Sequence, residues 1–90
     1  MMGLGTTTER RKIKRKIDSN NSAIRQHEKE YDFNAHAIEL WKSDQNKLYT
    51  KLKEHNIKKL QQRNKIIMTY ITDKQVTNIL LKDMLSEVIP

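Results

Sequence analysis

The stretch Ile17–Trp41, IDSNNSAIRQHEKEYDFNAHAIELW, decides what kind of fold this chain can adopt. Ile17, Ile24, Tyr31 and Ile38 stand seven residues apart, and each is followed three places later by Asn20, His27, Asn34 or Trp41. Residues three and four apart share one face of an α-helix, so this spacing predicts a helix with one continuous seam. Asn or His at a seam slot lowers stability but selects a register, because a slipped pairing leaves the polar group unsatisfied. The expectation is oligomerisation by coiled-coil packing, homo-oligomeric or with other helical subunits. Its seam is Ile17, Asn20, Ile24, His27, Tyr31, Asn34, Ile38, Trp41, Leu48 and Leu52.

Outward from that stretch, Gly3, Gly5 and Pro90 are the only helix breakers. Strand signals are poor, with no sustained alternation and no Asn-Gly or Asp-Gly turn. Thr6-x-x-Glu9 forms a capping box, which predicts a helix start there after a short leader, Met1–Gly5. Asp18–Ser22 collects five residues that favour caps and turns, yet the seven-residue spacing passes through it unshifted. After Leu52 the phase slips, and Ile57, Leu60, Asn64, Ile67 and Ile71 restart a 3-4 spacing. Such a slip is a stutter in one long helix or a hairpin bend near His55. A second capping box, Thr72-x-x-Gln75, predicts a break and a short last helix. In that helix Val76, Ile79, Leu80, Met84, Leu85 and Val88 form a wide apolar stripe suited to docking on a partner.

The fold class expected is therefore all-α: a long helix or helical hairpin with coiled-coil character, plus a short C-terminal helix. The organisation is a basic N-terminal arm (1–16), a long helical region (17–71) with a bend near 55, and a C-terminal amphipathic helix (72–90). The Ile-x-x-Asn and Ile-x-x-His repeats resemble those of trimeric fibre stalks, in which Asn rings face the axis. The likeness spans about Ile17–Trp41, and Tyr31 departs from it.

Composition narrows the function classes. Ninety residues make at most one domain, and 36% are apolar, little for a self-sufficient core. Mean hydropathy is −0.88. No apolar run exceeds three residues, as in Ile66-Ile67-Met68, far short of the roughly 20 residues a membrane span needs. There is no cysteine, which removes disulfide frameworks and thiolate zinc sites. His27, His36 and His55 make no HExxH or i, i+4 pair, so neither a metal nor another cofactor is expected. Nothing forms a nucleophile–base set, and the chain is not expected to be an enzyme. The location expected is intracellular, soluble or within an assembled particle, with a membrane an unlikely partner.

The net charge of +7 comes in blocks. Residues 1–20 carry +4, 21–50 carry −1, 51–65 carry +5 and 66–90 carry −1. Arg10, Arg11, Lys12, Lys14, Arg15 and Lys16 form a run without a carboxylate, suited to a polyanion. The preferred function is a non-enzymatic structural, assembly or adaptor subunit, of a virus particle or another large complex. The rival is a small basic nucleic-acid-binding protein using that run.

Overall fold

The structure is a computed structural model that describes residues 2–45 and 47–87, with side chains for 8–45 and 47–87. Two helices, α1 (Met2–Ser43) and α2 (Thr50–Glu87), pack side by side. Asn34 meets Asn64 toward the connection and Asn20 meets Asn78 far from it, so the pair is an antiparallel hairpin. It measures 71 × 14 × 13 Å, shorter than the single unbroken helix the sequence allows. No strand occurs among the described residues.

On α1, Ile13, Ile17, Asn20, Ile24, Asn34 and Ile38 are buried, and His27, Tyr31 and Trp41 are half-buried. The expected seam positions up to Trp41 are thus buried or half-buried, and they face α2 of the same chain. On α2, Lys53, Asn64, Ile67, Ile71 and Asn78 are buried, with Ile57, Leu60, Lys74, Leu81 and Leu85 half-buried between and beyond them. These positions step 4-3-4-3 from 53 to 85 without a slip. The centre is Ile24, Ile67 and Ile71 with Tyr31 packed against them, and Ile67 is fully buried. Fully burying one such side chain contributes about 1.5–3 kcal/mol.

Of the two readings of the phase slip after Leu52, the hairpin holds and the stutter does not: the two phases belong to two helices. Four other expectations change. The chain turns between the end of α1 at Ser43 and the start of α2 at Thr50, and not near His55, which is exposed on α2. Leu48 sits in that turn and Leu52 on the outer face of α2, 63% and 52% exposed, so neither belongs to the seam. No break occurs at Thr72–Gln75, and among the described residues there is no separate C-terminal helix, because α2 runs through to Glu87. There Ile71, Lys74 and Asn78 carry the seam onward, and packing outweighs the local capping signal. Helix α1 begins at Met2, ahead of Thr6, whose side chain lies outside the described residues. Asp18–Ser22 is helical for the reason that holds Thr72: Asn20 within it and Ile17 and Ile24 on either side are buried.

The buried asparagines fix how the helices align. Asn20 Nδ2 donates to Asn78 Oδ1 at 2.9 Å, and Asn78 Nδ2 donates to Asn21 Oδ1 at 2.9 Å. Fourteen residues along α1 the pattern repeats. Asn34 Nδ2 donates to Asn64 Oδ1 at 3.0 Å, and Asn64 Nδ2 donates to the Tyr31 carbonyl at 3.3 Å. Among the described residues no buried side-chain nitrogen or oxygen lacks a partner. The same register lays the basic 51–65 segment along the near-neutral second half of α1. It lays the near-neutral segment after residue 65 along the basic start of α1.

The connection works without glycine. Tyr49 adopts φ 69°, a left-handed conformation that disfavours a side chain with a Cβ. The Tyr49 carbonyl accepts the Lys53 N–H at 2.9 Å, and Thr50 Oγ1 donates to the Lys47 carbonyl at 2.7 Å. Lys53 Nζ reaches back to Asp44, 3.1 Å from Oδ2 and 3.3 Å from the carbonyl oxygen. That places a cation at the C-terminal end of α1, where the helix dipole favours it.

Two outcomes follow for stability. Asn64→Ala orphans the Asn34 amide and is expected to lower stability by about 1–3 kcal/mol. Replacing Asn34 and Asn64 together by Leu should restore or exceed the original stability, as read from urea midpoints. Tyr49→Gly should raise stability by about 1 kcal/mol, since Tyr49 is 67% exposed and gives up little contact. A fall on that substitution would show that the Tyr49 ring matters more than its backbone.

Candidate interaction surfaces

With the seam closed inside the chain, what remains for partners is the two flanks and the two ends of the hairpin. One flank is marked by an ion pair. Arg63 Nε lies 3.1 Å from Glu30 Oε1, and its Nη2 lies 3.2 Å from Oε2, a two-pronged contact across the helices. The hydrogen bond to Glu30, followed by its negative charge, raises the Arg63 pKa above its ordinary value. His27 stacks on Tyr70 along the same flank, with ring centroids 5.5 Å apart.

Counting in threes and fours from Glu30 along α1 reaches Phe33 and Leu40, which are 73% and 58% exposed. The same count from Arg63 along α2 reaches Ile66, Tyr70, Asp73, Thr77, Leu80, Met84 and Glu87. Each of these is exposed, including the four large apolar ones. A second seam-like stripe therefore runs beside the first on α2. The opposite flank is an open groove of ≈ 950 Å³ whose lining mixes Tyr31, Ala35 and Ile38 with Lys58, Gln61 and Lys65.

The sequence-predicted docking residues divide. Val76, Ile79, Leu80 and Met84 are exposed, whereas Leu85 is half-buried in the hairpin seam and Val88 lies outside the described residues. The stripe is narrower than expected, because part of it faces α1.

The basic run is an integral part of α1 and not a separate arm. Arg11, Lys12, Lys14, Arg15 and Lys16 are exposed and Arg10 half-buried, while Ile13 and Ile17 between them are buried. The antiparallel register sets this run beside the last turns of α2, near Leu80 and Met84. Among the described residues no His, Asp and Glu group could hold a metal ion, and no helix is long and apolar enough to cross a membrane.

Sequence reasoning missed the partners of Asn20 and Asn34. The signal was present: Asn64 and Asn78 are fourteen apart, as are Asn20 and Asn34. It also missed Lys53, whose apolar stem is covered while its ammonium meets Asp44.

Comparison with known protein families, with curated proteins and with solved structures finds no match.

Burial gives a direct check. Ile67→Ala removes a fully buried side chain and is expected to lower hairpin stability by about 2–5 kcal/mol. Leu80→Ala, at a position 58% exposed, should stay within about 0.5 kcal/mol in the isolated hairpin. Denaturant titration in dilute solution compares the two, and equal losses would contradict the burial pattern.

Proposed function

We propose that this chain is a non-enzymatic assembly or adaptor subunit that oligomerises by coiled-coil packing of its helices. It acts inside a cell or within a large complex such as a virus particle. The observation that carries the reading is the unfilled apolar surface of α2. Ile66, Tyr70, Leu80 and Met84 are 48%, 47%, 58% and 49% exposed although the hairpin's own seam is complete. Large side chains repeated at helical spacing on a solvent-facing flank are what a further helix covers.

Area supports the same view. A compact protein of this mass exposes about 5,500 Å². This chain exposes 7345 Å². The difference exceeds the roughly 800 Å² that each partner contributes to an ordinary stable interface.

A second reading, a small basic nucleic-acid-binding protein, is favoured by the basic run on α1. Five of its six cations are exposed together over two turns, and none is in an ion pair with another described residue. Contacts of this kind hold phosphates without reading bases.

Light scattering separates the two. A stable multiple of 10.7 kDa that nuclease and added duplex leave unchanged supports the assembly reading. A monomer at every concentration reached overturns it. Under the second reading, affinity for duplex falls about 10³-fold or more between 50 and 200 mM salt if most of the six charges take part. Replacing all six by Gln should abolish that binding. Substitution suits this test better than deletion of residues 1–16, because deletion also removes the buried Ile13.

A further inference from the structure

The exposed stripe on α2 is self-complementary. Read forward it runs Arg63, Ile66, Tyr70, Asp73, Thr77, Leu80, Met84, Glu87. Laid antiparallel on a second copy about the midpoint between Asp73 and Thr77, apolar meets apolar, polar meets polar, and the charges at the two ends meet with opposite sign. Ile66 falls opposite Met84, and Tyr70 opposite Leu80. Asp73 falls opposite Thr77, and Arg63 opposite Glu87. A two-fold axis generates each pairing twice, which is the condition for a closed symmetric dimer. We infer that this flank of α2 is the contact between two copies of the chain, packed antiparallel to form four helices with the two α2 helices at the centre. The inference rests on the assembly reading above and names its partner.

Charge agrees with this occupant. Glu87 of the second copy arrives at Arg63, whose guanidinium has five N–H donors and gives two to Glu30. A parallel, in-register pairing of the same two helices would instead set the 51–65 segment, with its +5 charge, on itself. A slip of one seven-residue repeat is also disfavoured. It places Asp73 against Tyr70 in one direction and against Met84 in the other, burying a carboxylate on an apolar side chain. The polar centre thus selects the register between molecules as the asparagines do within one. The stripe spans 25 residues, roughly 36 Å of helix from first to last, which is long enough for an ordinary interface.

The absence of native cysteine makes the test specific, since each introduced thiol is the only one in its chain. Chains carrying Ile66→Cys and chains carrying Met84→Cys are mixed under reducing conditions, then oxidised. Both sites are about half exposed, and circular dichroism checks that helicity is kept. The expected result is a disulfide that joins unlike chains in large excess over like ones. In the proposed register, residue 66 of one copy lies beside 84 of the other and about 27 Å along the axis from the second copy's own residue 66. A disulfide requires Cα atoms within about 7 Å. Like pairs forming as readily as unlike ones would overturn the inference. Light scattering on the unsubstituted chain distinguishes the two levels of failure. A dimer without preference for unlike pairs sinks this interface and leaves the assembly reading standing, whereas a monomer sinks both.

Discussion

The structure depends on two asparagine pairs buried between the helices. A buried amide without a partner costs about 1–3 kcal/mol, so four asparagines in the interior are tolerable only where they meet. Asn20 meets Asn78 and Asn34 meets Asn64 in one alignment, and shifting α2 by a single turn would orphan all four. The few isoleucines of the core are less discriminating, because one aliphatic side chain packs against another in several registers. Apolar burial supplies the attraction, and the amides decide which attraction is realised.

The charge blocks act in the same direction with less force. They are solvent-facing, and exposed pairs contribute little each. What matters is avoidance: the hairpin keeps the +4 and +5 segments at opposite ends of a rod 71 Å long, several screening lengths apart. Only Glu30 with Arg63 and Asp44 with Lys53 bridge the helices or the turn as described ion pairs.

A hairpin of two helices buries one stripe of each and leaves the rest to solvent. The exposed charged and polar side chains need no further cover. The flank of α2 beyond Arg63 is different, since its apolar residues keep the same spacing as the buried ones. What this chain offers a partner therefore lies on its surface. The groove on the other flank mixes polar and apolar lining and lies open to solvent, without the enclosure a small-molecule site has.

The sequence by itself determined the helical class, the 3-4 seam of α1 from Ile17 to Trp41, and the role of Asn20 and Asn34 as register-fixing groups. These are legible because they arise within one helix, where periodicity maps directly onto a face. The sequence also carried the apolar repeat of α2, but not which of two adjacent stripes, Ile67-Ile71-Asn78 or Ile66-Tyr70-Leu80, would be covered. That choice belongs to the register, which joins residues up to 58 positions apart. The turn was hidden because it uses Tyr49 at positive φ where glycine is the usual signal. The capping box at Thr72 misled because a local hydrogen-bonding preference, worth about 1 kcal/mol, is smaller than the packing of Ile71 and Asn78 on either side. Whether a seam closes on another molecule or on its own chain is not written in its spacing. Tertiary structure decided it, since a short turn holds the second helix at hand and removes the entropy loss that bringing in a separate molecule would incur.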